Sequence, residues 1–206
     1  MTDQGAGRVI LFAGHMVDLP DRLEPRFPPR AVDAAAEAIG RALDRLLAEG
    51  PETAVAASGA ARGGDLLFLE ACRTRGLVTH IVLPFAPERF VETSVKGAAG
   101  GDWEGRFRAI WRQTPEARRH VLDTRDADDP YAACNRSLVD LACRLGGKLC
   151  LIVLWDGLGG DGPGGTASLV EQVRQAGGEV VRIDSKALLR SLNEDAGRKP
   201  DAQTDA

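Results

Sequence analysis

The 206-residue chain has no run of about 18 apolar residues and no basic N-terminus leading into an apolar segment, so neither a membrane span nor a secretory signal is expected. The default compartment is the cytoplasm. Cysteine is scarce: Cys72, Cys134, Cys143 and Cys150 match no metal-knuckle spacing, and three of them fall within apolar patterns. They read as reduced core thiols. Positive charge is not in excess either. The net charge is −4, and Glu194, Asp195, Asp201 and Asp205 against Arg198 and Lys199 supply part of it. Such a balance argues against a general nucleic-acid surface. No internal repeat is visible. Neither a Walker A lysine nor a GxGxxG fingerprint is present, which removes P-loop ATP hydrolysis and ordinary dinucleotide binding from consideration. No metal and no resident cofactor is expected.

What is present is an ordinary globular composition, 44% hydrophobic and 27% charged, enough for one domain with a sizeable core. That domain is assigned to residues 1–191, with 192–206 expected to be a disordered polar tail. Short apolar runs alternate with helical patterns. Strands are expected at Arg8–Gly14, Thr53–Ser58, His80–Pro84, His120–Asp123, Leu149–Leu154 and Glu179–Asp184. Helices are expected at about Ala31–Ala48, Asp65–Arg73, Trp103–Arg112, Tyr131–Leu145, Thr166–Gln175 and Lys186–Leu192. Apolar strands without clean alternation, separated by helices, require a sheet covered on both faces. The expected class is α/β, a doubly wound, mostly parallel Rossmann-like sheet with helices on both faces. Ligands of such sheets gather at the carboxyl ends of the strands, where the winding reverses.

Every unusual loop follows a strand: "AGHMVD" the first, "SGAARGGD" the second and "LPFAPERF" the third. In the second of these, Ser58 to Asp65, small residues, Arg62 and two glycines precede a helix. Glycine admits an anion to backbone amides, a helix start supplies unpaired N–H groups, and arginine adds a bidentate contact. A tight strand-to-helix turn would use the same glycines. After "LIVLW" comes the richest loop, in which six of the nine residues from Gly157 to Gly165 are glycine, ending in "GPGGT". Thr166 is suited to cap the next helix or face a phosphate. Two such loops in one sheet point to an anion or a nucleotide.

Several single residues carry more than one reading. His15 suits phosphate contact, acid catalysis or a carbonyl cap. Asp156 suits ribose hydroxyls or the organisation of a glycine turn. Asn135 suits the cleft or a helix cap, and Trp155 and Phe85 suit base stacking or the core. His80 and His120 read as structural, and "RDADDP" as a solvated loop.

Together, "AGHMVD", "SGAARGGDLLFLEACRTRG", "LPFAPERF", "NRSLVDLA" and "LWDGLGGDGPGGT" resemble the SLOG superfamily of Rossmann-like proteins, and more narrowly its bacterial domains attached to signalling or effector modules. The superfamily includes lonely-guy phosphoribohydrolases, with a PGGxGT loop, and the DNA-processing protein A family, with a loop like SGGARGID. The resemblance spans about Val9 to Asp184. It implies binding of a nucleotide-derived small molecule at the carboxyl edge of the sheet, with a second copy or an effector protein as partner. In the usual SLOG topology Gly14 and His15 face Gly164, Gly165 and Thr166, and Ser58, Gly59, Arg62, Gly63 and Asp65 flank them. One departure matters. Where lonely-guy enzymes carry acidic residues beyond the threonine, this chain has Ser168 and Leu169, and the first carboxylate is Glu171. Glycosidic hydrolysis needs a carboxylate to activate water or stabilise an oxocarbenium ion. The expectation is therefore a sensor; the alternatives are a hydrolase using Asp65 or Asp156, and a purely structural domain.

Overall fold

A computed structural model describes residues 6–49, 53–159 and 164–197. Six strands form one sheet: β1 (Arg8–Gly14), β2 (Ala54–Ser58), β3 (Val78–Leu83), β4 (Arg119–Val121), β5 (Lys148–Trp155) and β6 (Glu179–Asp184). Their order is β4-β3-β2-β1-β5-β6, and every neighbouring pair is parallel. Among the described residues seven α-helices connect or follow them: α1 (Val32–Ala48), α2 (Gly64–Thr74), α3 (Pro87–Phe90), α4 (Trp103–Gln113), α5 (Pro130–Leu145), α6 (Thr166–Gln175) and α7 (Ser185–Gly197). This is the doubly wound α/β class that the alternation of patterns implied. The last helix is longer at its C-terminal end than the pattern suggested, and residues 198–206 of the expected tail lie outside the described residues.

The central strands are apolar on both sides because both sides are covered. Ile10 and Phe12 of β1, Ile81 and Leu83 of β3, and Ile152 and Leu154 of β5 join α1, α2 and α4 in one buried cluster. Their alternates Val9, Leu11, Val82, Leu151 and Val153 join α5 and α6 in the other. The Phe68 ring of α2 stacks on Phe12 with centroids 5.0 Å apart, which pins the start of α2 to the end of β1. Helix starts are capped where the sequence supplies the residue: Asp102 accepts from the Gly105 amide at 2.9 Å, and Asp129 with Pro130 after it opens α5.

From β1 the chain moves outward through β2, β3 and β4, then crosses back through α5 to lay β5 against the free side of β1. The winding reverses between β1 and β5. Their register runs from Arg8 opposite Lys148 to Gly14 opposite Leu154, so both strands end at the same level. Among the described residues no helix is long and apolar enough to cross a membrane.

Candidate functional site

A cleft of about 350 Å³ opens at that reversal, at the carboxyl ends of β1, β2, β3 and β5. Its volume lies at the low end of the roughly 300–1,000 Å³ usual for small-molecule sites. Phe12, Val82, Phe90, Leu138, Trp155 and Leu169 give it apolar walls. His15, Arg26, Asp65, Ser94, Asp129, Tyr131, Asn135 and Thr166 supply its polar groups.

The start of α6 forms one wall. Gly165 is its N-cap in an extended conformation, and Thr166 is the first helical residue, so the threonine is not itself the cap. The Ser168 amide donates to the Gly165 carbonyl at 3.1 Å, which leaves the Thr166 and Ala167 amides of the first turn at the positive end of the helix dipole. The backbone before it is clamped to α5. The Gly164 amide donates to Asp129 Oδ2 at 2.9 Å, and the Asn135 side-chain amide donates to the Gly164 carbonyl at 3.0 Å. Any side chain at Gly164 would bring a Cβ within 2.5 Å of Tyr131 Cβ, so glycine here permits a close approach rather than a turn. The centre of the glycine run, residues 160–163, lies outside the described residues.

The opposite wall is the loop from β2 to α2. Asp65 faces the cleft there, accepting from the Ala61 amide at 3.3 Å. Burial, which outweighs the hydrogen bond from the Ala61 amide, pushes its carboxyl up to about 7. Gly59 also lines the cleft, and a Cβ on it would come within 2.7 Å of Asp65 Oδ2. Cys134 lines the floor, donates to the Val82 carbonyl at 3.3 Å, and is pushed up to about 12 by burial. His15 closes the end of β1. Its Nε2 lies 3.3 Å from the Asp156 amide nitrogen and 3.5 Å from Asp156 Oδ1, and burial lowers its pKa against the pull of the Asp156 carboxylate.

Of the residues singled out from sequence, Gly14, His15, Gly59, Asp65, Asn135, Gly164, Gly165 and Thr166 come together around the cleft. Ser58, Arg62, Gly63 and Asp156 serve the loops behind it. The Ser58 hydroxyl is fully buried and donates to the Phe12 carbonyl at 3.2 Å. Arg62, 5% exposed, donates from Nε to the Val17 carbonyl at 3.1 Å and from Nη1 to that of Lys96; it ties the loop after β1 to the segment after α3. Gly63 adopts φ 89°, and a Cβ on it would lie 2.7 Å from the Val17 amide nitrogen. Asp156 accepts from the Leu158 amide at 3.0 Å, an Asx turn that organises the glycine run. The Gly64 and Leu66 amides are occupied by the His15 and Ala61 carbonyls, so the start of α2 has a donor fewer to offer an anion than α6.

Trp155 reaches the cleft and donates to the Leu158 carbonyl at 2.8 Å. Phe85 instead packs edge-on against Tyr131. His80 and His120 pair on the sheet, away from the cleft, with Nδ1 and Nε2 3.0 Å apart. Four polar cleft residues were not anticipated, Arg26, Ser94, Asp129 and Tyr131. Asp129, read within "RDADDP" as solvated, holds the amides of Tyr131, Ala132 and Gly164; the Asp-Pro step that opens a helix was the available signal. Tyr131 and Ser94 share a hydrogen bond of 2.8 Å at the rim, and Ser94 sits on a π-turn, Val91–Val95, which no local pattern announces. Among the described residues no three His, Cys, Asp or Glu side chains are grouped to hold a metal.

No family model and no curated protein matches the chain. Among solved structures, Streptococcus suis SuiB bound to S-adenosylmethionine is similar over 94% of this chain, with 15% sequence identity and a TM-score of 0.31. The chain spans 44% of that structure's length.

Proposed function

We propose that the protein binds a nucleotide or nucleotide-derived molecule in this cleft, with a phosphate at the first turn of α6 and the ring system along the apolar wall. The observation that carries this is the position of the glycine-lined start of α6 on the wall of a cleft at the reversal point of a parallel sheet. Asn135 and Asp129 fix the backbone of that wall, so its amides are oriented before a ligand arrives. The SLOG resemblance supports the same assignment, and with it a sensing role that passes through a second copy or an effector protein.

One observation favours a second activity. Asp65, held near neutrality in an apolar cleft, has the acidity of a general acid for cleavage of an N-glycosidic bond. Against it, such cleavage uses two carboxyl groups. The other carboxylate of the cleft among the described residues, Asp129, already accepts from three amides, and Ser168 and Leu169 replace the acidic pair. Binding without turnover is the conclusion. Gly165→Asp tests it: at φ −74° the backbone accepts a side chain, and the carboxylate opposes a phosphate. Calorimetry should show nucleotide binding by the parent and none by a folded Gly165→Asp. Equal binding by both would move the site elsewhere.

A further inference from the structure

We propose that Tyr131 is the specificity-determining residue of the cleft: its hydroxyl accepts a hydrogen bond from the ligand's sugar, so that ribonucleotides bind in preference to deoxyribonucleotides. This rests on the assignment of the cleft as a nucleotide site. Tyr131, Ser94, Gly164, Gly165 and Thr166 all line that cleft. The root of the Tyr131 side chain lies against the α6 wall, since a Cβ on Gly164 would come within 2.5 Å of Tyr131 Cβ. Its far end lies 2.8 Å from Ser94 Oγ, on the turn Val91–Val95. The ring therefore runs from the residue two places before Thr166 to the rim. In a nucleoside 5′-phosphate the sugar is the group joined to the phosphate. With the phosphate at the first turn of α6, the sugar is the part of the ligand that comes alongside the tyrosine.

The bonds already made by the hydroxyl set which partner it takes. Three hydroxyls meet at this end: Tyr131 Oη and Ser94 Oγ at 2.8 Å, Ser94 Oγ and Thr93 Oγ1 at 3.2 Å, and Tyr131 Oη and Thr93 Oγ1 at 3.4 Å. Each brings one hydrogen. Thr93 donates its own to the Arg89 carbonyl at 3.1 Å. The other two are then used in one of two ways. Either Ser94 donates to Tyr131 and Tyr131 to Thr93, or Tyr131 donates to Ser94 and Ser94 to Thr93. In both arrangements every hydrogen stays within the cluster and the oxygens keep lone pairs. Ser94 is 1% exposed and Tyr131 41%, so the tyrosine oxygen is the one a ligand reaches. It offers an acceptor, which suits a sugar hydroxyl and not a phosphate oxygen. Phe85, packed edge-on at a centroid distance of 5.9 Å, holds the ring in this position.

The probes are adenosine, cytidine and guanosine 5′-monophosphates with their 2′-deoxy and 3′-deoxy analogues, titrated by calorimetry into the parent, Tyr131→Phe and Ser94→Ala. Tyr131→Phe removes the hydroxyl and keeps the ring. A hydrogen bond between neutral groups is worth about 3- to 10-fold in affinity. The parent should therefore bind a ribonucleotide tighter than at least one of its deoxy analogues by that factor, and in Tyr131→Phe the preference should vanish. The ratio is the readout, because a merely loosened wall weakens ribonucleotide and deoxy analogue alike and leaves the ratio unmoved. Ser94→Ala should keep the preference, since the tyrosine oxygen remains. A preference lost in Ser94→Ala and kept in Tyr131→Phe would overturn the assignment to Tyr131. Equal affinity of the parent for ribonucleotides and deoxy analogues would overturn sugar recognition and leave the nucleotide site standing. No binding of any probe would remove both.

Discussion

Replacing Asp129 separates a helix cap from a clamp, because its two oxygens do different work. Oδ1 accepts from the Tyr131 and Ala132 amides at 2.8 and 3.0 Å and caps α5. Oδ2 accepts from the Gly164 amide at 2.9 Å and holds the wall before α6. Loss of an N-cap costs about 1 kcal/mol. A hydrogen bond to a charged acceptor is worth about 1.5–3 kcal/mol, and about 1 kcal/mol here, because Asp129 keeps contact with solvent. Asp129→Ala should thus lose about 2 kcal/mol, or about 4–8 °C in Tm for a domain of this size. Asp129→Asn keeps a capping oxygen but turns an amide group toward the Gly164 N–H, and should lose about half as much. Both should weaken nucleotide binding alike, by about 5- to 10-fold, since each releases the same wall. Scanning calorimetry and binding titration on the three proteins check this. An Asn variant that melts lower yet binds like the parent would refute the clamp as the element that prepares the site.

Gly63→Ala forces a Cβ onto a left-handed residue 2.7 Å from the Val17 amide nitrogen, and chemical denaturation should show a loss of about 1–3 kcal/mol. Asp65 carries a folded-state pKa of about 7, above its unfolded value, so its contribution is full below the unfolded pKa and is lost as pH rises through 7. Asp65→Asn should accordingly be more stable than the parent at pH 8, by about 1–3 kcal/mol, with the gain fading at pH 5; a gain independent of pH would contradict the assignment. Chromatography after long incubation of nucleoside monophosphates at high protein concentration should detect no free base, and base formed in proportion to protein and lost in Asp65→Asn would establish hydrolysis instead.

The sheet was legible because its strands are short apolar runs between amphipathic helices, and the reversal point follows from the class. The site was legible in its glycines and only partly in its side chains. Arg62 stands beside two glycines at a helix start, and by local chemistry that is a phosphate contact. Its acceptors, the carbonyls of Val17 and Lys96, belong to loops distant in sequence, and only the folded chain brings them into reach. Gly63 and Asp156 were the right residue types for a different reason, a strained φ and an Asx turn. Asp129 was hidden by its neighbours, since a run of charges reads as solvated even when its last member caps a helix and holds a loop.

The central claim is that nucleotides occupy the cleft between α5, α6 and the ends of β1 and β2. A thermal-shift panel of mono-, di-, cyclic and ADP-ribose-type nucleotides tests it most directly. At 100 times its dissociation constant a ligand adds about 2.7 kcal/mol, which corresponds to about 5–11 °C for a domain of this size. At least one phosphate- and ribose-containing compound should raise the Tm of the parent by that amount and leave Gly165→Asp unmoved. A panel in which no compound shifts the parent, or in which Gly165→Asp shifts equally, would contradict the account.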